Sequence, residues 1–316
     1  MTILYQNNVT GDAWDVTTLC KAAKLTTKRR GYPGTFEGSF LEDANVVWTH
    51  GGILVVKDDD NAGKFYGYVF KTTDSQTGTT DIVAYDQLRY LKSKETYVFT
   101  GKRADQIIQQ IADDFGIKVG TLANTGYAIP SLVEDAKTLF DIALDALDHT
   151  LINAGKMFFL WDDFGSLTLS DVEKCKLDLF LGDESLITSY TFASDIDSET
   201  YNKIKLAKDN KKTGKRDIYV FQDSGNMKLW GVLQDYETVD EDMNEAQIKA
   251  RGDQMLALYN RPKKSFKMTA IADLSVRAGY AVYIGIKKIN VSAFYIVEEC
   301  VQDLLKQTMT LTLKVV

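Results

Sequence analysis

The side chains best suited to catalysis or metal binding are few and scattered. The chain has two histidines, His50 and His149, and neither has a cysteine or carboxylate neighbour at a spacing typical of a metal site. His149 lies near the end of a predicted helix, where the helix dipole mildly favours a cation. The three cysteines, Cys20, Cys175 and Cys300, lie far apart in the sequence. We therefore predict structural histidines, free reduced thiols, and no bound metal or other cofactor.

Two acidic pairs could in principle supply an acid and a base at a glycosidic bond. They are Asp162 with Asp163, and Asp195 with Asp197. Adjacent carboxylates are common in solvated loops, so a structural role is the favoured interpretation. The Gly-Lys pairs at 101–102 and 155–156 lack the following Ser or Thr of a phosphate-binding loop, and no serine lies in a nucleophile elbow. We predict no catalytic residues and no enzymatic activity.

An acidic run, residues 58–63, invites comparison with a calcium-binding loop. Counting from Asp58, the fifth position is Ala62 and the twelfth is Val69, where that loop requires a ligand and a bidentate glutamate. Short polar side chains ending in glycine are instead typical of a hairpin turn. We predict a turn between two strands.

Composition excludes several classes of protein. The 316 residues include 37 Lys and Arg against 44 Asp and Glu, and this net charge of −7 argues against a protein that neutralises phosphates. The basic stretch Lys208 to Arg216 lacks interleaved aromatic residues, so we expect no sequence-specific nucleic-acid binding. The start of the chain has no export signal, and no apolar run has the length of a membrane span. We expect a soluble protein that folds in a cytoplasm.

The elements that would position these residues fall into three segments. In residues 1–94, alternation and β-branched content predict strands, which are Trp14 to Leu19, Thr35 to Leu41, Ile53 to Lys57, Phe65 to Thr73 and Thr79 to Val83. In residues 95–185, a helical apolar period predicts a helix over Lys102 to Phe115. Ser131 and Glu134 match a capping box, which predicts a second helix over Leu132 to Leu151. Strands follow at Lys156 to Trp161 and Leu167 to Ser170.

Residues 186–316 return to strands. The predicted strands are Ile187 to Ala193, Tyr201 to Lys208, Arg216 to Phe221, Gly231 to Glu237, Lys264 to Ala270, Ala281 to Ile286, Phe294 to Cys300 and the alternating terminal run from Thr308. One helix interrupts them, capped by Asn244 with Gln247 and extending to Tyr259. The predicted class is β-rich α+β, with barrel-like domains at 1–94 and 186–316 and an inserted α/β domain at 95–185.

Two motifs carry a resemblance to a known family. The runs Phe65 to Phe70 and Ala84 to Lys92 resemble the XkdQ/YqbQ-like tail proteins of PBSX-type prophages. Further matches occur in the same order along the chain: Phe115-Gly116-Ile117, Trp230 to Gln234, Val276 to Gly279, Tyr295 to Cys300 and Met309 to Leu313. One departure is that the family pattern places a histidine shortly after Cys300, whereas this chain has Val301-Gln302-Asp303. Within the second motif, Tyr85, Leu88, Tyr90 and Leu91 are expected to form a turn or short helix that packs on the first barrel.

The resemblance implies a fold and a function. The fold is two tail-tube-like β-barrel domains with an inserted α/β domain. The function is that of a baseplate hub in a contractile phage tail or R-type bacteriocin, where a ring of three copies joins the tail tube to the central spike. Expected partners are further copies of this chain, the tail tube protein, the spike, the baseplate wedge and LysM-type tail proteins, with no membrane. Expected localisation is the particle baseplate, assembled in the host cytoplasm. The alternative is a tail-tip protein that binds or degrades the cell wall.

Overall fold

The computed structural model describes residues 1–183, 185–210 and 214–315. Strands account for 51% and helices for 21%, so the β-rich class is confirmed. The strands of the N-terminal part are β1 (Thr2–Gln6), β2 (Ala13–Asp15), β3 (Cys20–Lys28), β4 (Thr35–Leu41), β5 (Ile53–Lys57), β6 (Gly63–Ser75), β7 (Thr79–Tyr85) and β8 (Lys94–Arg103). A 3₁₀ helix over Gln87–Lys92 separates the last two. A second 3₁₀ helix covers Thr17–Leu19, where the sequence predicted the end of a strand.

The middle of the chain supplies two helices and five strands. These are α1 (Ala104–Asp114), β9 (Val119–Leu122), β10 (Ala128–Thr138), α2 (Leu139–Ala154), β11 (Phe158–Asp162), β12 (Leu167–Asp171) and β13 (Lys176–Gly182). Short 3₁₀ turns follow at Val172–Lys174 and, later, at Lys287–Ile289. The predicted helix over 102–115 is confirmed, as are the two strands near Phe158 and Leu167.

The described residues of the rest of the chain form eight strands and two helices. These are β14 (Ile187–Asp195), β15 (Lys203–Asn210), β16 (Lys215–Gln222), α3 (Ser224–Trp230), β17 (Gln234–Val239), α4 (Glu245–Tyr259), β18 (Lys263–Ile271), β19 (Ala281–Ile286), β20 (Val291–Asp303) and β21 (Thr308–Val315). The predicted capping box is present, because Asn244 accepts from the N–H of Gln247 while Gln247 accepts from the N–H of Asn244. Part of the predicted basic stretch, residues 211–213, lies outside the described residues.

The predicted second helix is wrong over its first turns. Residues 131–138 belong to β10, which pairs antiparallel with β8 through Leu132 opposite Phe99 and Val133 opposite Val98. Leu132 is buried while Val133 is 65% exposed, an alternation that belongs to a strand. Ser131 and Glu134 have the spacing of a capping box but lie in a strand and cap no helix. The helix begins at Leu139.

Contacts divide the chain into two compact units. The first comprises residues 1–147, 157–191 and the chain from 266 onward; the second comprises 148–156 and 192–265. The predicted boundaries at 94/95 and 185/186 stay a prediction about folding units.

The first unit is built on one 13-stranded sheet. Its main order is β14-β18-β21-β20-β3-β4-β7-β6-β5-β1-β2, and β13 joins through β19 to β20. N-terminal and C-terminal strands meet where β3 pairs with β20, with Thr27 opposite Cys300. Among the described strands the pairing closes no barrel, so the two-barrel arrangement stays a proposal. A separate core packs Ile107 and Ile111 of α1 and Phe140 of α2 against Leu167 and Leu169 of β12.

The second unit contains a three-stranded sheet in the order β16-β15-β17. Its core includes Ile204 and Leu206 of β15 with Ile248 and Met255 of α4. Among the described helices, none is both long and apolar enough to cross a bilayer.

Candidate functional site

The candidate site begins with a buried carboxylate, Asp86, that caps the 3₁₀ helix after β7. Its side chain accepts hydrogen bonds from the N–H of Leu88 at 3.0 Å and from the N–H of Gly34 at 2.8 Å. A Cβ at position 34 would lie 2.4 Å from the Asp86 carboxylate oxygen, so a side chain there would collide with that oxygen. Position 34 therefore requires glycine, and Asp86 ties the β3–β4 loop to the 3₁₀ helix.

A second buried carboxylate, Asp162, ends β11. Its Oδ1 accepts from the N–H of Gly165 at 2.7 Å, in a turn where Phe164 and Gly165 both have positive φ. Its Oδ2 is buried and has no hydrogen-bond partner among the described residues. The turn thus holds the carboxylate in place and leaves one of its oxygens unpaired.

The positive charge of the cluster comes from Arg277, in the segment between β18 and β19. Its Nη1 donates to the main-chain oxygen of Asp162 at 3.1 Å, and its guanidinium carbon lies 3.9 Å from the Trp161 ring centroid. The buried Nε has no partner among the described residues. Arg277 therefore connects the C-terminal part of the sheet to the end of β11.

The electrostatics follow from burial. Burial raises the pKa of Asp162 to about 6. Burial, together with the negative charge of Asp162, raises the pKa of Asp86 well above its ordinary range. Burial lowers the pKa of Arg277, which the surrounding carboxylates partly oppose. The positive charge of Arg277 opposes the rise in pKa of both carboxyls, so removing it would make their ionised forms still less favourable.

An aromatic cluster lies beside these charges. Its rings are in mutual contact, with centroids 5.4 to 6.0 Å apart, and they are Tyr66, Tyr68, Phe70, Tyr85, Tyr90 and Phe164. Phe164, in the turn after Asp162, meets Tyr66 of β6, and a Cβ at Gly63 would lie 2.4 Å from the Phe164 ring. The turn that holds Asp162 is therefore packed directly on the N-terminal sheet. Charge and aromatic contacts therefore join the turn after β11, the 3₁₀ helix and the N-terminal sheet in one packed junction.

The short helix predicted after Tyr85 is confirmed, but its predicted packing is correct only in part. A short helix is present, but Leu88 and Leu91 are buried in the core of α1 and α2, not on the first barrel as predicted. Tyr85 and Tyr90 do pack on the N-terminal sheet, through Phe70. One side of the 3₁₀ helix, with Leu88 and Leu91, packs in the core of α1 and α2, and the other, with Tyr90, packs on the N-terminal sheet. The sequence alone did not indicate this division.

The other residues singled out by sequence lie apart from this cluster. The acidic run at 58–63 is the predicted turn, since Asp58 accepts from the N–H of Ala62 at 2.8 Å. Asp195 accepts from Ser198, and these hydrogen bonds lower its pKa; Asp197 lies in the same exposed turn and does not form a carboxylate pair with it. Among the described residues no group of His, Cys, Asp and Glu could hold a metal ion.

The histidines and the thiols are likewise dispersed. His50 lies in an exposed turn, where its main-chain oxygen accepts from Asn8. His149 lies within α2, where its main-chain oxygen accepts from Asn153. Burial raises the pKa of Cys20 to about 11 and that of Cys300 to about 12. A thiol held in its neutral form is a poor nucleophile.

Sequence reasoning singled out Asp162 but missed Asp86 and Arg277. Both missed residues lie inside the runs that carried the family resemblance, Ala84 to Lys92 and Val276 to Gly279. A charged residue between apolar neighbours, as Arg277 is between Val276 and Ala278, was the available signal for a buried charge.

The fold is that of phage tail proteins. The prophage MuSo2 43 kDa tail protein from Shewanella oneidensis matches with a TM-score of 0.72 at 14% identity, over 100% of this chain and 98% of that one. An E. coli component of the type VI secretion system, described as structurally similar to T4 tail proteins gp27 and gp5, matches with a TM-score of 0.57 at 10% identity, over 94% of this chain and 74% of that one. At these identities the likeness is one of fold.

Sequence then identifies the family. The YQBQ-like family model matches residues 23–316, and the chain belongs to this family. Phage-like element PBSX protein XkdQ of Bacillus subtilis (strain 168) is 37% identical over 256 residues, which is 80% of this chain and 77% of that protein. The resemblance drawn from the sequence is confirmed. The sequence relative is thus a protein of a phage-like element, and the structural neighbour with a TM-score of 0.72 is a prophage tail protein.

Proposed function

We propose that the protein is the hub of a phage-type baseplate, where a ring of three copies joins the tail tube to the central spike. The observation that carries this proposal is the match of the whole fold to a tail protein, over 100% of one chain and 98% of the other. The type VI secretion component, with its stated similarity to T4 tail proteins gp27 and gp5, supports a place in the tail. We propose the tail tube protein, the spike, the wedge and LysM-type tail proteins as partners, and the baseplate of the particle as the location.

The sheet of the first unit supports the number of copies. Its N-terminal and C-terminal strands form two halves that meet at β3 and β20. If each half acts as one tube-like domain, a ring of three chains presents six such halves to a six-fold tube. Head-to-tail contacts close such a ring only when the rotation per step divides the circle.

The buried cluster supports the same role. A hub transmits force between tube and spike, and Asp86, Asp162 and Arg277 connect the N-terminal strands, the end of β11 and the segment before β19 within the first unit. Such a junction keeps these parts in a fixed arrangement. We propose that the junction serves the stability of the chain.

The experiment is deletion of the gene in a strain that produces the particle, followed by electron microscopy. We expect tails without an assembled baseplate or spike, and recovery when the wild-type gene is supplied. Normal particles in the deletion strain would overturn the proposal. Incubation of the purified protein with peptidoglycan addresses the cell-wall alternative: we expect no soluble fragments, and fragments lost on substitution of one Asp or Glu would favour an enzyme.

A further inference from the structure

Two neighbouring strands of the N-terminal sheet separate a basic surface from an acidic one. Strands β4 and β7 pair antiparallel over seven residues, from Thr35 opposite Tyr85 to Leu41 opposite Thr79. At one end the N–H of Asp86 donates to Gly34, and at the other the N–H of Glu42 donates to Gly78. A rise of about 3.3 Å per residue places the two ends roughly 20 Å apart.

The basic end consists of Tyr32, Arg89, Tyr90 and Lys92. Tyr32 is 53% exposed, and its ring receives the ammonium groups of Lys28 at 4.8 Å and Lys92 at 5.4 Å. Arg89 lies over the Phe70 ring at 5.3 Å. Lys28 pairs with Glu299, whereas Arg89 and Lys92 form no ion pair within the described part of the chain. Two uncompensated cations therefore flank two exposed tyrosines.

The acidic end consists of Leu41, Glu42, Asp43, Asp74 and Asp81. All five are exposed, and Leu41 retains 40% of its surface. Asp43 accepts from Asn45 and Asp74 from Thr80, and none of the four carboxylates pairs with a cation among residues 1–183, 185–210 and 214–315. An apolar side chain therefore lies among unpaired negative charges.

We propose that the acidic end of one copy docks on the basic end of the next copy in the ring. The two ends are complementary in charge, and each carries side chains for apolar contact: a leucine among carboxylates at one end, and tyrosines among cations at the other. Contacts with tyrosine and arginine at the centre and charge at the rim are typical of protein interfaces. Ends of opposite charge on one sheet fit a heterologous contact, because two like ends would repel each other. This inference rests on the proposed ring and names the surface that forms it.

Charge reversal tests the docking in the particle itself. The deletion strain is complemented with R89E/K92E, with E42K/D43K, or with all four substitutions in one chain. We expect each double variant to lower the yield of particles with assembled baseplates at least tenfold, and the fourfold variant to restore most of that yield. K249E/K264E, which reverses two exposed lysines elsewhere, is the matched control and should assemble like wild type.

The outcomes separate this inference from the proposed function. If wild type restores baseplates and both double variants do so equally well, the docking surface is wrong while the hub stands. If the double variants fail in folded form and the fourfold variant fails too, the basic end binds another acidic partner and the inference is also wrong. If the deletion strain never lacked baseplates, the hub itself is wrong.

A cross-link gives a second readout. Cα atoms of a disulfide lie within about 7 Å, so K92C and D43C in one chain cannot join each other across the sheet. We expect K92C/D43C particles to yield disulfide-linked multimers up to a trimer, and neither single variant to do so. Absence of multimers in assembled K92C/D43C particles would contradict the contact.

Discussion

The guanidinium of Arg277 stacks on the indole ring of Trp161, with 3.9 Å between the guanidinium carbon and the ring centroid. Trp161 is itself fixed, because its indole N–H donates to the Ser170 hydroxyl at 2.9 Å. A desolvated cation–π contact contributes about 2 kcal/mol. The contact links β11 to the C-terminal part of the sheet, and the charge of the same guanidinium opposes the rise in pKa of Asp86 and Asp162.

Replacing Arg277 should destabilise the fold strongly. R277M removes the cation–π contact with Trp161 and the charge that opposes the rise in pKa of both buried carboxyls, so we expect a loss of about 2 kcal/mol or more. R277K keeps the charge but loses the planar stack, so we expect an intermediate loss. Denaturant unfolding measures both. K306M, at a side chain 77% exposed, is the control and should change stability by less than about 1 kcal/mol. An R277M variant as stable as wild type would contradict this role.

Asp162 should make stability depend on pH in a particular direction. Its pKa is raised from 3.8 to about 6 in the folded chain, so between these values the folded state binds more protons than the unfolded state. The free energy of unfolding therefore falls as pH rises from about 4 to about 6, by roughly 3 kcal/mol for this group. D162N removes that contribution.

Unfolding of wild type and D162N at a series of pH values checks this prediction. We expect D162N to gain stability relative to wild type as pH rises through that window, and the difference to level off above it. If the difference in unfolding free energy between wild type and D162N stays constant from pH 4.5 to pH 7.5, the raised pKa of Asp162 is contradicted.

The thiols should be free and unequal in reactivity. Burial raises the pKa of Cys300 to about 12 and that of Cys20 to about 11, so neither is a thiolate at neutral pH. Alkylation of the folded protein should be slow at Cys300, and alkylation in denaturant without reductant should modify all three cysteines. Intact mass gives the count. A single modified cysteine in denaturant would reveal a disulfide and refute the prediction.

Adjacent substitutions in β10 test its strand structure. L132A removes a buried side chain of the α1 and α2 core and should cost about 2 to 4 kcal/mol. V133A, at a position 65% exposed, should cost less than about 1 kcal/mol. Denaturant unfolding compares them. Similar losses at both positions would mean that the two side chains do not lie on opposite faces.

Elements defined by local signals were predictable from sequence. The Asn244 and Gln247 box fixes the start of α4 within a few residues. Strands β4, β5 and β19 have the predicted bounds, because β4 alternates and β5 and β19 are short, nearly continuous apolar runs. The Ser131 and Glu134 spacing is equally local, yet pairing with β8 decides that segment. A short motif cannot report a partner strand that lies some thirty residues away.

Elements defined by distant partners were missed. Strand β3, rich in Lys, Ala and Thr, has a weak pattern of its own and forms between β4 and β20. The same holds for the buried cluster, where Asp86 and Arg277 meet only through the folded sheet. Asp162 was noticed as one of an acidic pair, and the charge of Asp163 does raise its pKa; nothing in the sequence indicated that the charge of Asp162 also raises the pKa of Asp86.

The most direct test of the central claim is a reconstruction of the assembled baseplate at a resolution that counts subunits. We expect three copies of this chain in one ring between the tail tube and the spike, with the acidic end of each copy on the basic end of the next. Six copies per ring, a single copy, or a position away from the junction of tube and spike would contradict it.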